Sequence, residues 1–583
     1  MAIKRYTANE DNTITNAFKE NFQTRGTGSN MGASDILETF TIYDQVPAIA
    51  ATAQLFVTVN SPAIATDGSE RFILTGSSQH YVFVAVGVGP GANQFDASGD
   101  RDTVLTNMTT LINTAASADF TASVYNGSVK IISQASGDFG NTNTLSSSLN
   151  NTTPQTEISF TGGTGGDETS NILINFPVSE ISASRVAGEI PLSGGVSFYL
   201  RTHNAPHGQT LPKDYSLAIQ AVSRSWAEGY GLDMDGYTDR GVSNWVSASS
   251  TTGWTSEGGD YHASPTYSQY LSTGLEDVEV DITPLVEEWL TGSKDSDGVG
   301  ISISSSYADM ARSFYVKMFF ARGSQYFYFR PKIEARWDSA RKDRRNSFYA
   351  SSSLAPLSDN RNTIYIYNQI RGKLQNIPAI GTGSLSMSLY YGGATTPVGA
   401  VLQTATGSWV ATGIYSASVI IDATSSYLYD VWHNAGNVYV TGSQISVRNF
   451  LTDTAVDTGE YVSNITNMKE SYATTENARM RMFVRDKDWS PTIYTVATTN
   501  IETKVIESAY FKVFRIADDF DVIPYGTGSG NENYTQMSYD KDGNYFDIDM
   551  SLFETDYSYG IKVVYKIDDR YEEQPELFKF RVE

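Results

Sequence analysis

Along most of the chain, apolar and polar residues alternate in runs of about four to eight that stop at Gly, Asn, Asp or Ser. Val196-Ser-Phe-Tyr-Leu-Arg and Ala311-Arg-Ser-Phe-Tyr-Val-Lys-Met-Phe-Phe are examples. A period of two buries one face of a strand and wets the other, so antiparallel sheets are expected. Two segments break the pattern. Over 100–116, Val104, Leu105, Met108, Leu111 and Ile112 recur at three- and four-residue spacing behind Asp100 or Asp102, which predicts an amphipathic helix with an acidic cap. In Thr283-Pro-Leu-Val-Glu-Glu-Trp-Leu, Thr283 is placed to cap, Pro284 to open the helix, and Leu285 and Trp289 to stack one turn apart against a sheet.

These elements group into units. The strands Leu55-Phe-Val-Thr-Val and His80-Tyr-Val-Phe-Val-Ala-Val precede the first helix, and a hairpin turned at Asn126-Gly127 follows it. Residues 50–166 are therefore expected to form a small α+β domain. The run Phe160-Thr-Gly-Gly-Thr-Gly-Gly-Asp closes it and reads as a flexible glycine linker. A second border falls at Arg341-Lys-Asp-Arg-Arg, the densest charge cluster, directly after the strand Lys332-Ile-Glu-Ala-Arg-Trp. It reads as a solvated linker, with docking of an acidic neighbour as the alternative. Two β-sandwich-like domains, 339–452 and 453–583, are expected beyond.

From Asp167 to Asp338 the chain carries Ile172-Leu-Ile-Asn-Phe-Pro-Val-Ser-Glu-Ile, Ser197-Phe-Tyr-Leu, Ser225-Trp-Ala-Glu-Gly, Asp281-Ile-Thr-Pro-Leu-Val-Glu-Glu-Trp-Leu and Arg330-Pro-Lys-Ile-Glu-Ala, in that order. This resembles the DNRLRE-type, disaggregatase-related jelly-roll domains of secreted carbohydrate-active proteins. Ile14-Thr-Asn-Ala-Phe and Asn30-Met-Gly-Ala-Ser-Asp-Ile-Leu resemble that family's opening. The resemblance implies a mainly β, multidomain protein whose N-terminal jelly-roll β-sandwich, 1–49 plus 167–338, is interrupted by the insertion domain. Met1-Ala-Ile-Lys-Arg-Tyr-Thr-Ala, the stretch from Arg25 to Leu37, and Asn346-Ser-Phe-Tyr-Ala-Ser-Ser-Ser-Leu-Ala-Pro-Leu also resemble large virion structural proteins of tailed phages, marine myoviruses in particular. That likeness implies a multi-copy homo-oligomer in a virion, at a head, neck or tail position, with other virion proteins as partners. Its domains are expected in series, the acidic C-terminal block at the exposed end.

Composition adds exclusions. The 583 residues hold 41 Lys plus Arg against 65 Asp plus Glu, a net charge of −24, which disfavours nucleic acid as a partner. No Cys is present, so neither a disulfide nor a thiolate site can form. No apolar run suits a signal or a membrane span, so synthesis in the host cytoplasm without membrane insertion is expected.

No cofactor, metal or catalytic residue is expected. Gly87-Val-Gly-Pro-Gly-Ala lacks the βαβ context of a dinucleotide fingerprint and reads as a turn. Asp233-Met-Asp-Gly-Tyr-Thr-Asp lacks the closing Glu and flanking helices of a calcium loop, while Asp540-Lys-Asp-Gly-Asn and Asp295-Ser-Asp-Gly read as hairpin turns. His203 and His207 read as ordinary loop histidines, and the adjacent Glu287 and Glu288 offer no acid and base pair across a cleft. Trp245, Trp254 and Tyr261 lie in a Gly- and Ser-rich stretch. If exposed, their rings would stack on a sugar, which makes them the candidate contacts for a host-surface glycan. The function expected is thus a non-enzymatic virion component, with carbohydrate binding or host adsorption as the alternative.

Overall fold

The computed structural model describes the chain except residues 1, 23, 59–63, 77–78, 136, 208–211, 233–241, 311, 393–396, 423–426, 451–458, 490–502, 529–532 and 568. The protein is mainly β and multidomain. Its N-terminal sandwich faces a four-stranded sheet, ordered Ile3–Thr7, Lys332–Arg336, Ser197–Thr202, Val278–Asp281, against a seven-stranded one. In the larger sheet the long strand Thr164–Asn175 pairs with Ile36–Ile49, Glu10–Thr15 and Val299–Ile303. Inward residues such as Ile172, Ile174, Phe198, Leu200, Leu217 and Ile301 are fully or almost fully buried between the layers. The helix Thr283–Thr291 closes this core with Leu285, Val286 and Trp289. Thr283 does not cap it. Its hydroxyl instead accepts the Phe198 N–H at 2.8 Å, tying the helix to a strand.

Residues between Ile49 and Thr164 carry a core of their own, with Phe72, Phe83, Phe95, Leu105, Met108, Phe120 and Ile131 at its centre. Helix Arg101–Ala115 lies over this core, and the Asp100 carboxylate accepts the Thr103 N–H at its start. Asn126 and Gly127 both take positive φ, 46° and 75°, the geometry that joins Phe120–Tyr125 to Ser128–Ser133 in a tight hairpin.

The glycine run at the domain's exit is not a slack linker. Thr164 through Asn175 is one strand, and Thr164 pairs with Ile49 across the ladder. The glycines permit close packing. A Cβ on Gly163 would meet Gly137 O at 2.5 Å and Ala51 Cβ at 2.9 Å, and one on Gly137 would meet Gly165 O at 1.7 Å. Arg25 rivets the same neck, its guanidinium 4.3 Å from the ring centres of both Phe18 and Phe139. It donates to Asp138 at 2.7 Å and to the carbonyls of Asn16, Gly165 and Asp167.

The next domain, expected to be β-sandwich-like, is built from one seven-stranded sheet curled on itself. Asn362 bonds both the N–H and the C=O of Tyr349, which ties the sheet's first and last strands together around Leu385, Met387, Tyr415 and Trp432. Its outer face carries cross-strand hydroxyl pairs: Ser386 opposite Thr406, Ser408 opposite Ser416, and Thr363 opposite Ser418. The C-terminal domain is a sandwich of four- and six-stranded sheets with Phe511 stacked on Phe546 at 4.2 Å. It does not hang at a free end. Its core is continuous with that of the N-terminal sandwich.

Candidate functional site

The three expected glycan contacts sit close together, but inside. Trp245 and Trp254 are 8% exposed and pack with Trp226, Ile14, Leu173, Val222 and Ala248 in a small satellite core, against which Tyr261 lies. Each polar tip is satisfied within the protein: Trp254 Nε1 donates to Asn244 O at 2.8 Å, Trp245 Nε1 to Glu257 at 3.2 Å, and the Tyr261 hydroxyl to Gly258 O at 2.8 Å. Glycines supply the room, since a Cβ on Gly258 would meet the Trp245 ring at 2.8 Å and one on Gly300 the Tyr261 ring at 2.2 Å. The buried Trp245 and Trp254 and the half-buried Tyr261 thus serve packing in place of the exposed sugar contacts expected. A Ser- and Gly-rich stretch suggests an exposed loop, yet here it folds down because an amphipathic ring gains more by burying its body once its N–H or O–H has a partner.

Charged residues gather instead at the seam between the N-terminal and C-terminal sandwiches. Strand Lys332–Arg336 is buried at every position. Ile333 and Ala335 enter the N-terminal core, while Lys332, Glu334 and Arg336 point the other way, where alternation alone would put water. Glu334 accepts from Arg5 at 2.8 Å and from Arg336 at 2.7 Å, and Glu279 accepts from Arg336 and Arg201, each at 2.6 Å. Arg5 also reaches Val522 O in the C-terminal domain, and Arg336 lies between the rings of Tyr199 and Tyr534. Burial alone would raise the Glu334 carboxyl, but the charges of Arg5 and Arg336 outweigh it and hold it far below the usual carboxylate range. Lys332 donates to Tyr328 O. Burial, reinforced by Arg5, pushes its ammonium down to about 7.

Aromatic rings complete the seam. Phe520 stacks on Tyr328 at 5.3 Å and meets Phe329 edge-on, while the hydroxyls of Tyr328 and Tyr559 bond at 2.8 Å. His203, read as an ordinary loop residue, is part of this packing: its ring lies 5.5 Å from Phe329, and Nδ1 bonds Asp277 at 2.8 Å. His207 accepts the Met318 N–H at 3.3 Å, and among the described residues the two histidines belong to no metal-binding cluster. Glu287 and Glu288 pair separately, with Arg185 and Lys294.

The basic run 341–345 is likewise stitched rather than solvated. Arg344 pairs with Glu507 of the C-terminal domain, and Arg345 binds both Asp343 and Asp430. The acidic neighbour it docks is its own chain. Asp540 leads into a hairpin turn formed by Lys541 and Asp542, as expected, whereas Asp295 and Asp297 lie between a helix and a strand. The possible calcium loop 233–239 falls outside the described residues.

Where all three β domains meet, a cleft of about 750 Å³ opens. Leu192 and Trp337 of the N-terminal sandwich, Tyr365 and Trp409 of the curled domain, and Tyr534 and Gln536 of the C-terminal domain line it, with Arg341 and Asp338 between them. Trp409 is 37% exposed and anchored by Nε1 to Asn376 at 3.1 Å. Domain junctions commonly form such aromatic clefts with a few polar groups. Sequence reasoning missed this one because its walls come from three distant segments.

No protein-family model matches the chain, and no curated protein sequence matches it. Among solved structures, an adhesin of Yersinia pseudotuberculosis, InvE, aligns at 12% identity over 40% of this chain and 56% of its own, with a TM-score of 0.14. An Escherichia coli alpha-2-macroglobulin aligns at 8% identity over 74% of this chain and 24% of its own, TM-score 0.13. The BSP domain of a biofilm-associated protein aligns at 8% identity over 99% and 97%, TM-score 0.15. Scores this low carry no argument about fold or function.

Proposed function

We propose that the chain is a non-enzymatic structural component of a tailed-phage virion, present in many copies and acting through protein–protein interfaces with itself and with other virion proteins. The observation that supports this reading best is the seam. Charged groups that could serve chemistry are spent as internal fasteners, and a repeated subunit needs its domains held at fixed angles so that symmetric contacts recur. The hydroxyl-paired outer face of the curled domain suits the polar, wet contacts of such interfaces. Mass spectrometry and reconstruction of purified particles test the proposal. Stoichiometric amounts and density at symmetric sites are expected; a protein found free in the infected cell and absent from particles ends it.

One observation favours a second reading, binding of a host-surface glycan. The three-domain cleft offers the partly exposed Trp409 beside Arg341, Asp338 and Gln536, a set that can stack on a sugar and bond its hydroxyls. Each aromatic contact contributes about 1 kcal/mol, so monovalent affinity would be weak and multivalent display would raise it. Glycan-array binding that Trp409→Ala abolishes supports this reading. Binding left unchanged by that substitution removes the cleft as the site.

A further inference from the structure

One edge of the N-terminal sandwich holds a buried amine against a half-buried carboxamide. Lys317, on strand Phe314–Phe320, is fully buried. Its Nζ donates to Asn204 Oδ1 at 2.6 Å and to Gly274 O at 2.9 Å, so neither acceptor is an anion. Asn204 lies two residues beyond the end of strand Ser197–Thr202 and bridges to Phe319 through its backbone. Two further bonds fix it: its N–H donates to Asp277 Oδ1 at 2.8 Å, and the Ala205 N–H to Met318 O at 3.1 Å. With Nζ on the amide oxygen, only a C=O bond of about 1.2 Å separates that oxygen from the carbon an amine attacks.

Two carboxylates act electrostatically on Lys317, those of Asp277 and Glu276. Asp277 is committed, one oxygen to His203 and the other to the Asn204 N–H. Glu276 is half committed. Its Oε1 accepts from Ser272 and Thr273, while Oε2 is buried with no hydrogen-bond partner among the described residues. Burial would raise this carboxyl, but the hydrogen bonds from Thr273 and Ser272 outweigh it and keep it ionised. Burial also pushes the Lys317 ammonium down to about 8, against the pull of Asp277 and Glu276, so a neutral, nucleophilic amine is accessible near physiological pH.

We propose that Lys317 and Asn204 condense into an intramolecular isopeptide bond, with Glu276 carrying the proton. The Lys317 Nζ lone pair attacks Asn204 Cγ and forms the new C–N bond. Glu276 accepts a proton from that nitrogen and returns it to the departing amide nitrogen, whose bond to Cγ breaks. One amine and one primary amide become one secondary amide and ammonia, with no oxidant or co-reactant. The product clamps strand Phe314–Phe320 to the end of Ser197–Thr202, and gives a chain without cysteine a covalent tie that reduction cannot open. The inference does not rest on the virion reading.

Intact-mass spectrometry of the purified full-length protein tests it. The expected mass falls short of the sequence mass by one ammonia, and digestion yields a branched peptide containing both residues. Lys317→Arg and Asn204→Ala should each restore the full mass. Glu276→Gln should leave a folded chain, by circular dichroism, that is not cross-linked. Folded wild-type protein at full sequence mass, with Lys317 and Asn204 in separate linear peptides, overturns the proposal. So does an ammonia loss that maps elsewhere, such as Asn126-Gly127. The wild-type measurement decides alone, whether or not a variant folds.

Discussion

Arg25 shows how one side chain can set the stiffness of a whole junction. Its side chain is 6% exposed, and its ion pair with Asp138 joins the N-terminal sandwich to the insertion domain. Arg25→Ala would strand a partly buried carboxylate and empty the space between two rings, a loss of about 3 kcal/mol. The expected result is a lower denaturant midpoint and faster hydrogen exchange around 137–141 and 161–167, with the cores unaffected. Lys332 supplies a second residue-scale outcome. Its ammonium titrates near 7 in the folded chain but near the ordinary lysine value when unfolded, so between those values the unfolded state binds more protons. Stability should therefore fall as pH drops from about 10 to about 7, then stop responding to this group. Lys332→Met should reduce the slope over that stretch of the profile; identical slopes in both proteins would exclude Lys332 as a source. Neither role could be read from the sequence. Alternation marks Lys332, Glu334 and Arg336 as one face of a strand, but only the folded chain shows that a second domain covers it. Trp245 and Trp254 failed in the opposite direction, since residue type alone does not say whether a loop tryptophan points in or out.

Elements were more legible than sites because their signals are local. Helix Arg101–Ala115 begins where Asp100 predicts, with Val104, Leu105, Met108 and Ile112 buried. Asp100→Ala should cost about 1 kcal/mol by freeing the Thr103 N–H, read as a lower melting temperature of the insertion domain with little change elsewhere. Helix Val178–Val186 escaped notice. It follows Pro177, it has no side-chain cap, and Ile181 and Ser184 are its buried residues, so its apolar period is nearly silent. What holds it is tertiary: Arg185 forks onto Glu287 of the neighbouring helix at 2.8 and 2.6 Å. The glycine run before Asp167 misled for a related reason. Glycine permits both slack and close approach, and the choice lies in what stands opposite, here Ala51 and Gly137.

At the scale of the molecule, the N-terminal and C-terminal sandwiches share a continuous core, whereas the insertion domain closes one of its own. The two halves of that contrast predict different responses to truncation. The insertion leaves and re-enters the host sandwich at Ile49 and Thr164, which face each other as a registered pair on adjacent strands. Joining those strands by a short turn would convert a domain-length excursion into a hairpin, lowering the entropy of closing the loop. It would uncover the Arg25 neck but none of the sandwich's central apolar residues. A chain lacking 50–163 should therefore remain soluble and unfold cooperatively, and the excised segment, with its buried Phe72, Phe83 and Phe120, should fold alone. The C-terminal block gives the control. Expressed as 453–583, it would present Phe520, Tyr534 and Tyr559 without Tyr328, Phe329 and Arg336 against them, so it should bind hydrophobic dyes and aggregate. If the insertion-deleted chain aggregates while 453–583 is monomeric and stable, the partition of cores described here is wrong.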